Sequence, residues 1–361
     1  MKNIAIVIGD ISKSAGTERA VTNLSNILQN SGNYKVVIIS QYSKVGQKCY
    51  YPLNSSVEIE HLEMHNNGLL DRFKTSKGLV QKIDSLCNKY AVDVIIGTTH
   101  GYNIQLTKLK VKAKKIGCEH LNYDSAPWYS RILRRFAYPK LDAVVCLTKR
   151  DAEKYNFIDK NKLFVIQNSL SFCVETPAKL ENKRIIAIGR LTRQKGWDYL
   201  VAAAKKIKAG IPDWHIDIYG AGEEKESLLM QMKNNCTDDF ISIHDPTSNI
   251  KNEMLTSSIM VETSRWEGLP MVLVEGEACG LPLVGFDCPE GPDEIIKDGE
   301  CGYLVSVGDI EKLSEYVIKI AKNAELRKQF GKKSIELAER FSPESVGKQW
   351  FELLKKTMGD V

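Results

Sequence analysis

The sequence lacks the features that mark secreted, membrane-spanning and zinc-binding proteins. Its nine cysteines are odd in number, scattered, and never form a C-x-x-C pair, which favours small core side chains over disulfides or zinc ligands. No apolar run approaches the roughly 20 residues of a membrane-spanning helix. The first apolar run ends at Gly9 and Asp10, too soon for a secretory signal. We therefore expect a folded cytoplasmic protein whose membrane contact, if any, is peripheral.

Nucleic-acid and dinucleotide motifs are missing too. There is no zinc-finger spacing, RNP-type aromatic motif or heptad repeat, so no nucleic-acid partner is expected. The first predicted βα turn, GDISKSAGTE, lacks the G-x-G-x-x-G of dinucleotide-binding oxidoreductases. Charge is uneven: residues 1–170 carry 25 Lys and Arg against 14 Asp and Glu (+11), and residues 171–361 carry 25 against 31 (−6). The basic half should favour an anionic surface or substrate.

The pattern of apolar runs predicts an α/β protein with two doubly wound, Rossmann-like domains. Strand-like runs such as IAIVI and KVVIIS alternate with helical patterns, which is typical of a parallel sheet with covered faces. The alternation lapses over residues 169–183 and then resumes, so we predict domains at 1–168 and 184–341 with a linker between them. Their strand carboxyl ends should face a central cleft. A capped helix over residues 342–361 is expected to pack back toward the first domain.

Two loops after predicted strands of the second domain are candidate phosphate sites. GRLTRQKG places Arg190 and Lys195 at the carboxyl end of a strand and beside a helix N-terminus, where cations and free N–H groups suit a phosphate or diphosphate. The alternative is a solvated basic loop. In YGAGEEKESL, Gly220 and Gly222 permit either close approach of a nucleotide or a plain tight turn.

The run WEGLPMVLVE carries one glutamate before an apolar segment and another within it. Pro270 suits the first position of a helix, whose early N–H groups would then be available to an anion. Glu267 could accept a hydrogen bond from a sugar hydroxyl and Glu275 from a ribose hydroxyl. The alternative is a pair of surface carboxylates that stabilise the helix N-terminus. The candidate nucleotide-binding residues of this run are Glu267, Gly268, Leu269, Met271, Val272 and Glu275.

With both motifs in order, the chain resembles the retaining glycosyltransferases of family 4, of the bacterial surface-polysaccharide type, which have the GT-B fold. The family's E-x7-E signature matches Glu267 and Glu275. Its Gly-Arg-…-Lys-Gly loop matches Gly189, Arg190, Lys195 and Gly196.

The resemblance implies that the first domain binds the acceptor and the second the nucleotide sugar, and it implies a role for each matched residue of the second domain. Arg190 and Lys195 would bind the donor diphosphate, Glu267 the hydroxyls of the donor sugar, and Glu275 the ribose. Arg190, Lys195, Glu267 and, from the first domain, His120 would form the catalytic set.

Two further positions of the first domain enter through the resemblance. The family's loop of two adjacent glycines appears here as Ala15-Gly16, so Gly16 would let the backbone approach the diphosphate although one glycine is missing. His120, in CEHLNY, matches a Glu-His pair of the family and would face the transferred sugar, whereas a lone histidine is more often structural.

The implied reaction transfers a hexose or N-acetylhexosamine, with retention, from a UDP-sugar to a lipid-linked or growing glycan acceptor in surface polysaccharide or glycoconjugate assembly. UDP is favoured by association with the segment GPDEII, residues 291–296. Cations and helix N–H groups would stabilise the leaving diphosphate, so no metal or other cofactor is expected, and no D-x-D motif is present. The alternative is a catalytically degenerate GT-B protein that binds nucleotide sugar or partner enzymes without turnover.

A basic, aromatic segment, PWYSRILRRFAYPK at residues 127–140, leaves two interpretations open. It can lie in a membrane interface and bind anionic head groups, with KLKVKAKK at residues 108–115 adding charge. It can equally be a solvated basic helix whose aromatic side chains face the core. The charge of the first half favours peripheral association with the inner face of an anionic membrane.

Overall fold

Seven parallel strands form the sheet of the first of two units. The structure is a computed structural model that describes residues 1–64 and 69–359, and it divides into a first unit, Met1–Ser171 with Ser342–Val361, and a second, Phe172–Phe341. The first unit's strands are β1 (Lys2–Ile8), β2 (Tyr34–Ser40), β3 (Glu58–His61), β4 (Val94–Gly97), β5 (Lys114–Glu119), β6 (Ala143–Cys146) and β7 (Leu163–Val165). Their order is β3-β2-β1-β4-β5-β6-β7, so the direction of winding reverses beside β1.

Helices cover both faces of this sheet. They are α1 (Gly16–Asn30), α2 (Leu69–Lys89), α3 (His100–Leu106), α4 (Trp128–Ala137) and α5 (Lys149–Glu153). Alternate residues of β1 enter two separate cores: Ile4 and Ile6 pack with α1, while Ala5 and Val7 pack with α2 and α3. Because both faces are buried there, β1 is apolar from Ile4 to Ile8, as in other parallel sheets.

The second unit repeats the architecture with six parallel strands. They are β8 (Arg184–Ile188), β9 (His215–Tyr219), β10 (Ile241–His244), β11 (Ile259–Glu262), β12 (Leu283–Phe286) and β13 (Gly302–Val305), in the order β10-β9-β8-β11-β12-β13. The helices are α6 (Trp197–Gly210), α7 (Lys225–Asn234), α8 (Ile250–Leu255), α9 (Met271–Ala278), α10 (Pro292–Ile295), α11 (Ile310–Lys322) and α12 (Ala324–Ala338). The predicted fold class, two doubly wound α/β domains, is confirmed.

The chain returns to the first unit in its last helix, α13 (Pro343–Met358). The Ser342 hydroxyl caps this helix by accepting the Ser345 N–H at 3.2 Å. Buried Val346 and Trp350 join the core that β1 shares with α1, and Phe351 stacks on Tyr34 with ring centroids 5.9 Å apart. Residues 172–183, most of the predicted linker, belong to the second unit.

None of the helices in residues 1–64 and 69–359 combines the length and apolar character that crossing a bilayer requires.

Candidate active site

The charged centre of the second unit is a buried lysine held by two glutamates. Lys195 ends a short turn after β8, and Glu262 is the last residue of β11, the strand next to β8. Lys195 Nζ lies 2.7 Å from Glu267 Oε1 and 3.3 Å from Glu262 Oε1. Ser264 Oγ lies within hydrogen-bond distance of both carboxylates, at 2.6 Å from that of Glu267. We call these four residues the lysine cluster.

Burial and opposite charge decide the protonation of the lysine cluster. Burial opposes the charge of Lys195, but the carboxylates of Glu267 and Glu262 outweigh it and raise the pKa of Lys195 above its usual value, so the ammonium stays charged. Glu262 is completely buried, and this burial raises the pKa of its carboxyl group despite the nearby ammonium. The cluster therefore carries less negative charge near neutral pH than two carboxylates would by themselves.

Two glycines create the space that Lys195 occupies. Gly196 has φ +64°, and a Cβ there would lie 2.1 Å from the carbonyl oxygen of Thr263, so the turn into α6 requires glycine. A Cβ on Gly189 would lie 2.8 Å from Lys195 Cε. The glycines of the Gly-Arg-…-Lys-Gly loop thus let the lysine stem reach the interior.

The G-x-G after β9 is explained by contact between two loops. The Gly189 N–H donates to the Tyr219 carbonyl at 3.0 Å, which brings the two strand ends together. A Cβ on Gly220 would lie 1.9 Å from the Gly189 carbonyl oxygen, and one on Gly222 would lie 2.3 Å from that of Leu191. Backbone packing alone therefore requires both glycines, and their contact with a nucleotide stays a prediction.

Both glutamates of the WEGLPMVLVE run are buried. Glu267 is 8% exposed and Glu275 3%, so the alternative of two surface carboxylates is wrong. Helix α9 begins at Met271, which leaves Pro270 before the helix instead of in its first position. By helix geometry the N–H groups of Met271 and Val272 have no acceptor within α9.

The neighbours of Glu267 in that run, Gly268 and Leu269, form its link to the helix. Leu269 is buried, and a Cβ on Gly291 would lie 2.1 Å from the Gly268 carbonyl oxygen. The segment GPDEII therefore packs directly against the turn that carries Glu267.

Arg190, unlike Lys195, is not a member of the buried lysine cluster. Its side chain is exposed, donates to Gln194 Oε1 at 3.2 Å, and makes no ion pair within the described part of the chain. Its carbonyl oxygen accepts the indole N–H of buried Trp197 at 2.9 Å. The structure therefore fixes the backbone of Arg190 and leaves its guanidinium at the surface.

His120 and Gly16, the predicted site residues of the first unit, lie at separate loops. His120 directly follows β5, and burial lowers its pKa to about 4 against the opposing effect of a side-chain hydrogen bond with Asn168. Its Nδ1 is sealed from solvent and has no partner among the described residues. Gly16 opens α1, and a Cβ there would meet nothing within 4 Å, so packing does not require glycine at this position.

Helix α4 turns its apolar side outward. Trp128 is 68% and Phe136 72% exposed, whereas Arg134 on the opposite side is completely buried. The interpretation in which the aromatic side chains of residues 127–140 face the core is therefore wrong for this helix, and only Tyr138, just beyond it, is buried. The exposed large side chains, which we call the α4 apolar face, are Trp128, Tyr129, Ile132, Leu133 and Phe136.

A buried polar network holds α4 by its charged side. Arg134 Nη1 donates to the Tyr155 hydroxyl at 2.9 Å, and the charge of Glu119, the last residue of β5, helps raise the pKa of Arg134 against the effect of burial. Glu119 in turn accepts bonds from the Tyr138 hydroxyl and, at 2.9 Å, from the Asn103 amide. The helix is thus anchored without using its apolar face.

The basic run KLKVKAKK, residues 108–115, leads into the amino end of β5, the end of the strand opposite to His120. Lys114 is the first residue of β5, at the amino end of the strand that His120 follows, and pairs with Asp142 at 3.2 Å. Lys115 Nζ donates to the Leu109 carbonyl at 2.9 Å. Two of the five lysines of this run therefore already have partners within the first unit.

Sequence reasoning missed Glu262 and the Glu119–Arg134 network. The available signal was an acidic residue at the end of a buried apolar run: SSIMVE closes on Glu262 and KKIGCE on Glu119. A carboxylate at that point of a parallel strand must find a partner, because burying it alone is costly. For Glu262 that partner is the ammonium of Lys195. For Glu119 the partners are the Tyr138 hydroxyl and the Asn103 amide, with the charge of Arg134 nearby.

Comparison with known proteins agrees with the fold. The family model "Glycosyl transferases group 1" matches residues 174–337. The amylovoran biosynthesis glycosyltransferase AmsD of Erwinia amylovora is 32% identical over 369 residues, which cover 98% of this chain and 100% of AmsD. Among solved structures, sucrose-phosphate synthase of Thermosynechococcus elongatus has a TM-score of 0.83 at 15% identity, covering 100% of both chains. HepE of Anabaena, in complex with UDP and glucose, has a TM-score of 0.79 at 16% identity, covering 98% of this chain and 100% of HepE.

Proposed function

Because this chain belongs to the group 1 glycosyl transferases, and is thus a glycosyltransferase of polysaccharide or glycoconjugate biosynthesis, we propose that it transfers a hexose or N-acetylhexosamine from a UDP-sugar with retention of configuration. The acceptor is a lipid-linked or growing glycan of a surface polysaccharide or glycoconjugate. The name of the Erwinia relative, which refers to amylovoran biosynthesis, supports this acceptor class. The UDP and glucose in the HepE complex support the donor class.

The observation that carries the donor proposal is the 2.7 Å contact between Lys195 Nζ and Glu267 Oε1. A ligand that touches both groups must present a negative charge beside a hydroxyl donor. A sugar diphosphate does so where the anomeric carbon meets the phosphate. Lys195 would bind the diphosphate there, and Glu267 would accept a hydrogen bond from a sugar hydroxyl.

The contacts of the two carboxylates support the proposal of retention by attack from the side of the leaving group. Glu262 is completely buried and paired with Lys195, and Glu267 is paired with Lys195 and hydrogen-bonded by Ser264, so neither is presented as a nucleophile. We propose that the acceptor oxygen attacks the anomeric carbon from the side of the departing diphosphate. The anomeric C–O bond to phosphate breaks, the C–O bond to the acceptor forms, and the acceptor proton passes to the leaving phosphate oxygen.

The leaving group gains its stabilisation from fixed and mobile positive charge. Lys195 supplies a buried ammonium, Arg190 a surface guanidinium that can reorient, and α9 the N–H groups of Met271 and Val272. No metal ion enters this scheme. Neutral His120 would contact the transferred sugar, and Glu275 the ribose.

The α4 apolar face supports a peripheral membrane location on the cytoplasmic side. Five large apolar side chains lie on one exposed side of a helix that also carries Arg131 and Arg135, and the surrounding half of the chain is basic. Insertion of such a face into the lipid boundary buries apolar area while the arginines contact anionic head groups. This location suits an acceptor that is itself anchored to lipid.

The donor proposal is tested by UDP release from a panel of UDP-hexoses and UDP-N-acetylhexosamines. We expect release from one donor by the wild type and at least a hundredfold less from Lys195→Ala and Glu267→Ala. Lys206→Ala, which removes a lysine with an exposed side chain in α6, is the matched control and should behave as wild type. UDP binding without turnover, with or without lipid-linked acceptor, would favour the degenerate alternative, and no nucleotide binding would contradict the proposal.

Co-sedimentation with vesicles tests the membrane proposal separately. We expect the protein to pellet with vesicles that contain anionic lipid and to stay largely in solution with zwitterionic vesicles. Absence from both pellets would show that the α4 apolar face does not bind membranes.

A further inference from the structure

The first unit contains a pocket of about 460 Å³ at the carboxyl ends of β2 and β4. These two strands flank β1, where the winding direction of the sheet reverses. Open α/β sheets bind ligands in the crevice at such a position, because the loops on its two sides diverge. We call this cavity the switch-point pocket. Its walls include Gln41, Tyr42, His100, Tyr102, Gln105 and Tyr129.

Two amide groups in the pocket wall are oriented by neighbouring hydroxyls. The Tyr102 hydroxyl donates to Gln41 Oε1 at 2.7 Å, and the Ser76 hydroxyl donates to Gln105 Oε1 at 3.1 Å. Each amide oxygen is thus occupied, whereas neither amide nitrogen has a hydrogen-bond partner among the side chains of residues 1–64 and 76–359 or the described backbone. Both side chains can therefore still donate hydrogen bonds from their amide N–H groups to oxygen atoms of a ligand.

His100 adds a group that can both donate and accept. Its imidazole is half-buried in the pocket wall and forms no hydrogen bond or ion pair with any described residue. Burial, and then the charge of Arg134, lower the pKa of His100, so its imidazole is neutral near neutral pH. A neutral imidazole has one donor and one acceptor nitrogen, which matches a hydroxyl group.

The described part of the pocket wall suits an uncharged ligand. Of the described residues that line it, none is Asp, Glu, Lys or Arg. Its apolar surface comes largely from the rings of Tyr42, Tyr102 and Tyr129, against which the C–H groups of a sugar ring can pack. Aromatic walls with a few fixed polar groups are typical of sites for small polar molecules.

Tyr129 belongs to both the switch-point pocket and the α4 apolar face. A ligand with its polar head in the pocket therefore has an exposed apolar helix beside it. Next to Tyr129, Trp128 contacts its ring edge to face at a centroid distance of 6.1 Å, which continues the aromatic surface outward.

From this geometry we propose that the switch-point pocket binds an uncharged sugar of the acceptor glycan, and that the α4 apolar face receives the lipid to which this glycan is attached. His100 and the amide N–H groups of Gln41 and Gln105 bind the sugar hydroxyls, and the tyrosines pack against the ring. The inference rests on the proposed transferase function, since it identifies where the second substrate of that reaction binds.

Ligand-detected NMR titrations of the full chain test this inference with UDP and with methyl and octyl glycosides of glucose, galactose and N-acetylglucosamine. We expect His100→Ala and Gln105→Ala each to weaken binding of the recognised glycoside about three- to tenfold, the value of one or two hydrogen bonds, with UDP affinity unchanged. Gln349→Ala, an exposed glutamine of α13, is the matched control and should bind both ligands as wild type. Thermal unfolding like that of the wild type is the measurement that shows each variant to be folded.

The outcomes separate this inference from the proposed function. Wild-type protein that binds UDP but no glycoside, or variants that bind glycosides as wild type does, would overturn the pocket assignment and leave the donor proposal standing. Failure to bind UDP would contradict the donor proposal instead. Tighter binding of the octyl than the methyl glycoside, lost in Phe136→Ser, would support the lipid assignment, whereas equal affinities would overturn it in favour of a soluble glycan.

Discussion

Both units bury charged side chains, but they differ in the groups that they leave exposed or, among the described residues, without a partner. In the second unit, charged side chains are buried and satisfy one another within the lysine cluster. In the first unit, large apolar side chains of α4 are exposed while His100 and the amide nitrogens of the switch-point pocket have no partner among the described residues. The second unit is thus organised before its ligand arrives, whereas the first presents surfaces that a ligand or membrane would complete.

The largest effect should come from breaking the lysine cluster. In Lys195→Met, the two carboxylates lose their counter-charge in a buried site, so we expect a loss of about 3 kcal/mol in the free energy of unfolding and at least a hundredfold loss of UDP release. Urea unfolding and UDP release measure the two effects. Adding Glu262→Gln should restore about half or more of the stability but none of the activity. Recovery of activity in the double variant would show that Lys195 only neutralises Glu262.

The exposed helix of the first unit gives the contrasting case. In Leu133→Ser/Phe136→Ser, loss of two insertable side chains should weaken binding to anionic vesicles about a hundredfold. Stability should change by less than about 0.5 kcal/mol, since neither side chain is buried in the fold. Vesicle titration and thermal unfolding check both. Met230→Ser, which removes an exposed apolar side chain in the second unit, should leave vesicle binding intact.

The Arg134 network tests whether the first unit also depends on a buried charge. Arg134→Met should cost about 2 kcal/mol of unfolding free energy, because Glu119 then stays buried without a counter-charge. Adding Glu119→Gln should recover part of this loss, and UDP affinity should be unaffected in both variants. An Arg134→Met protein as stable as wild type would show that the network does not hold α4.

One buried group in each unit should make stability respond to pH in the direction opposite to the other. The pKa of His120 is lowered to about 4, so the unfolded chain binds a proton more readily and stability is lost as pH falls from about 6.5 toward 4. Glu277, buried in α9 at 3.3 Å from Arg340, has its pKa raised by burial to about 8, so stability is lost as pH rises from about 4.5 through 8.

Melting temperatures at about pH 5 and about pH 8 check this contrast. His120→Gln should reduce the loss on the acid side alone, and Glu277→Gln the loss on the alkaline side alone. The expectation fails if either substitution changes both ends of the profile equally.

Local pattern was enough to predict much of the fold. The alternation of β-branched runs with helical patterns predicted two doubly wound units, and the strand-like runs IAIVI and KVVIIS lie in β1 and β2. Such elements depend on neighbours in the sequence, and burial on both faces of a parallel sheet makes their strands strongly apolar. The positions of Glu267 and Glu275, before and within an apolar run, likewise identified them as candidate site residues, and both are buried.

What could not be predicted depends on contacts between distant segments. Glu262 meets Lys195 only because β11 lies beside β8, and Arg134 can be buried only because Tyr155 and the charge of Glu119 stabilise it. The segment 127–140 has one apolar and one basic side, and periodicity cannot decide which side faces inward. The switch-point pocket requires the strand order, which no local pattern contains.

The return of the chain to the first unit in α13 has a consequence for biosynthesis. Tyr34 and the α1 side of the first sheet gain their cover from Val346, Trp350 and Phe351, which the ribosome adds only after the whole second unit. At 5–20 residues per second, the first unit waits roughly ten to thirty seconds between the end of Ser171 and the arrival of this helix. The second unit, a continuous segment, can therefore complete its folding on the ribosome before the first, and the nascent first unit is the part most in need of a chaperone.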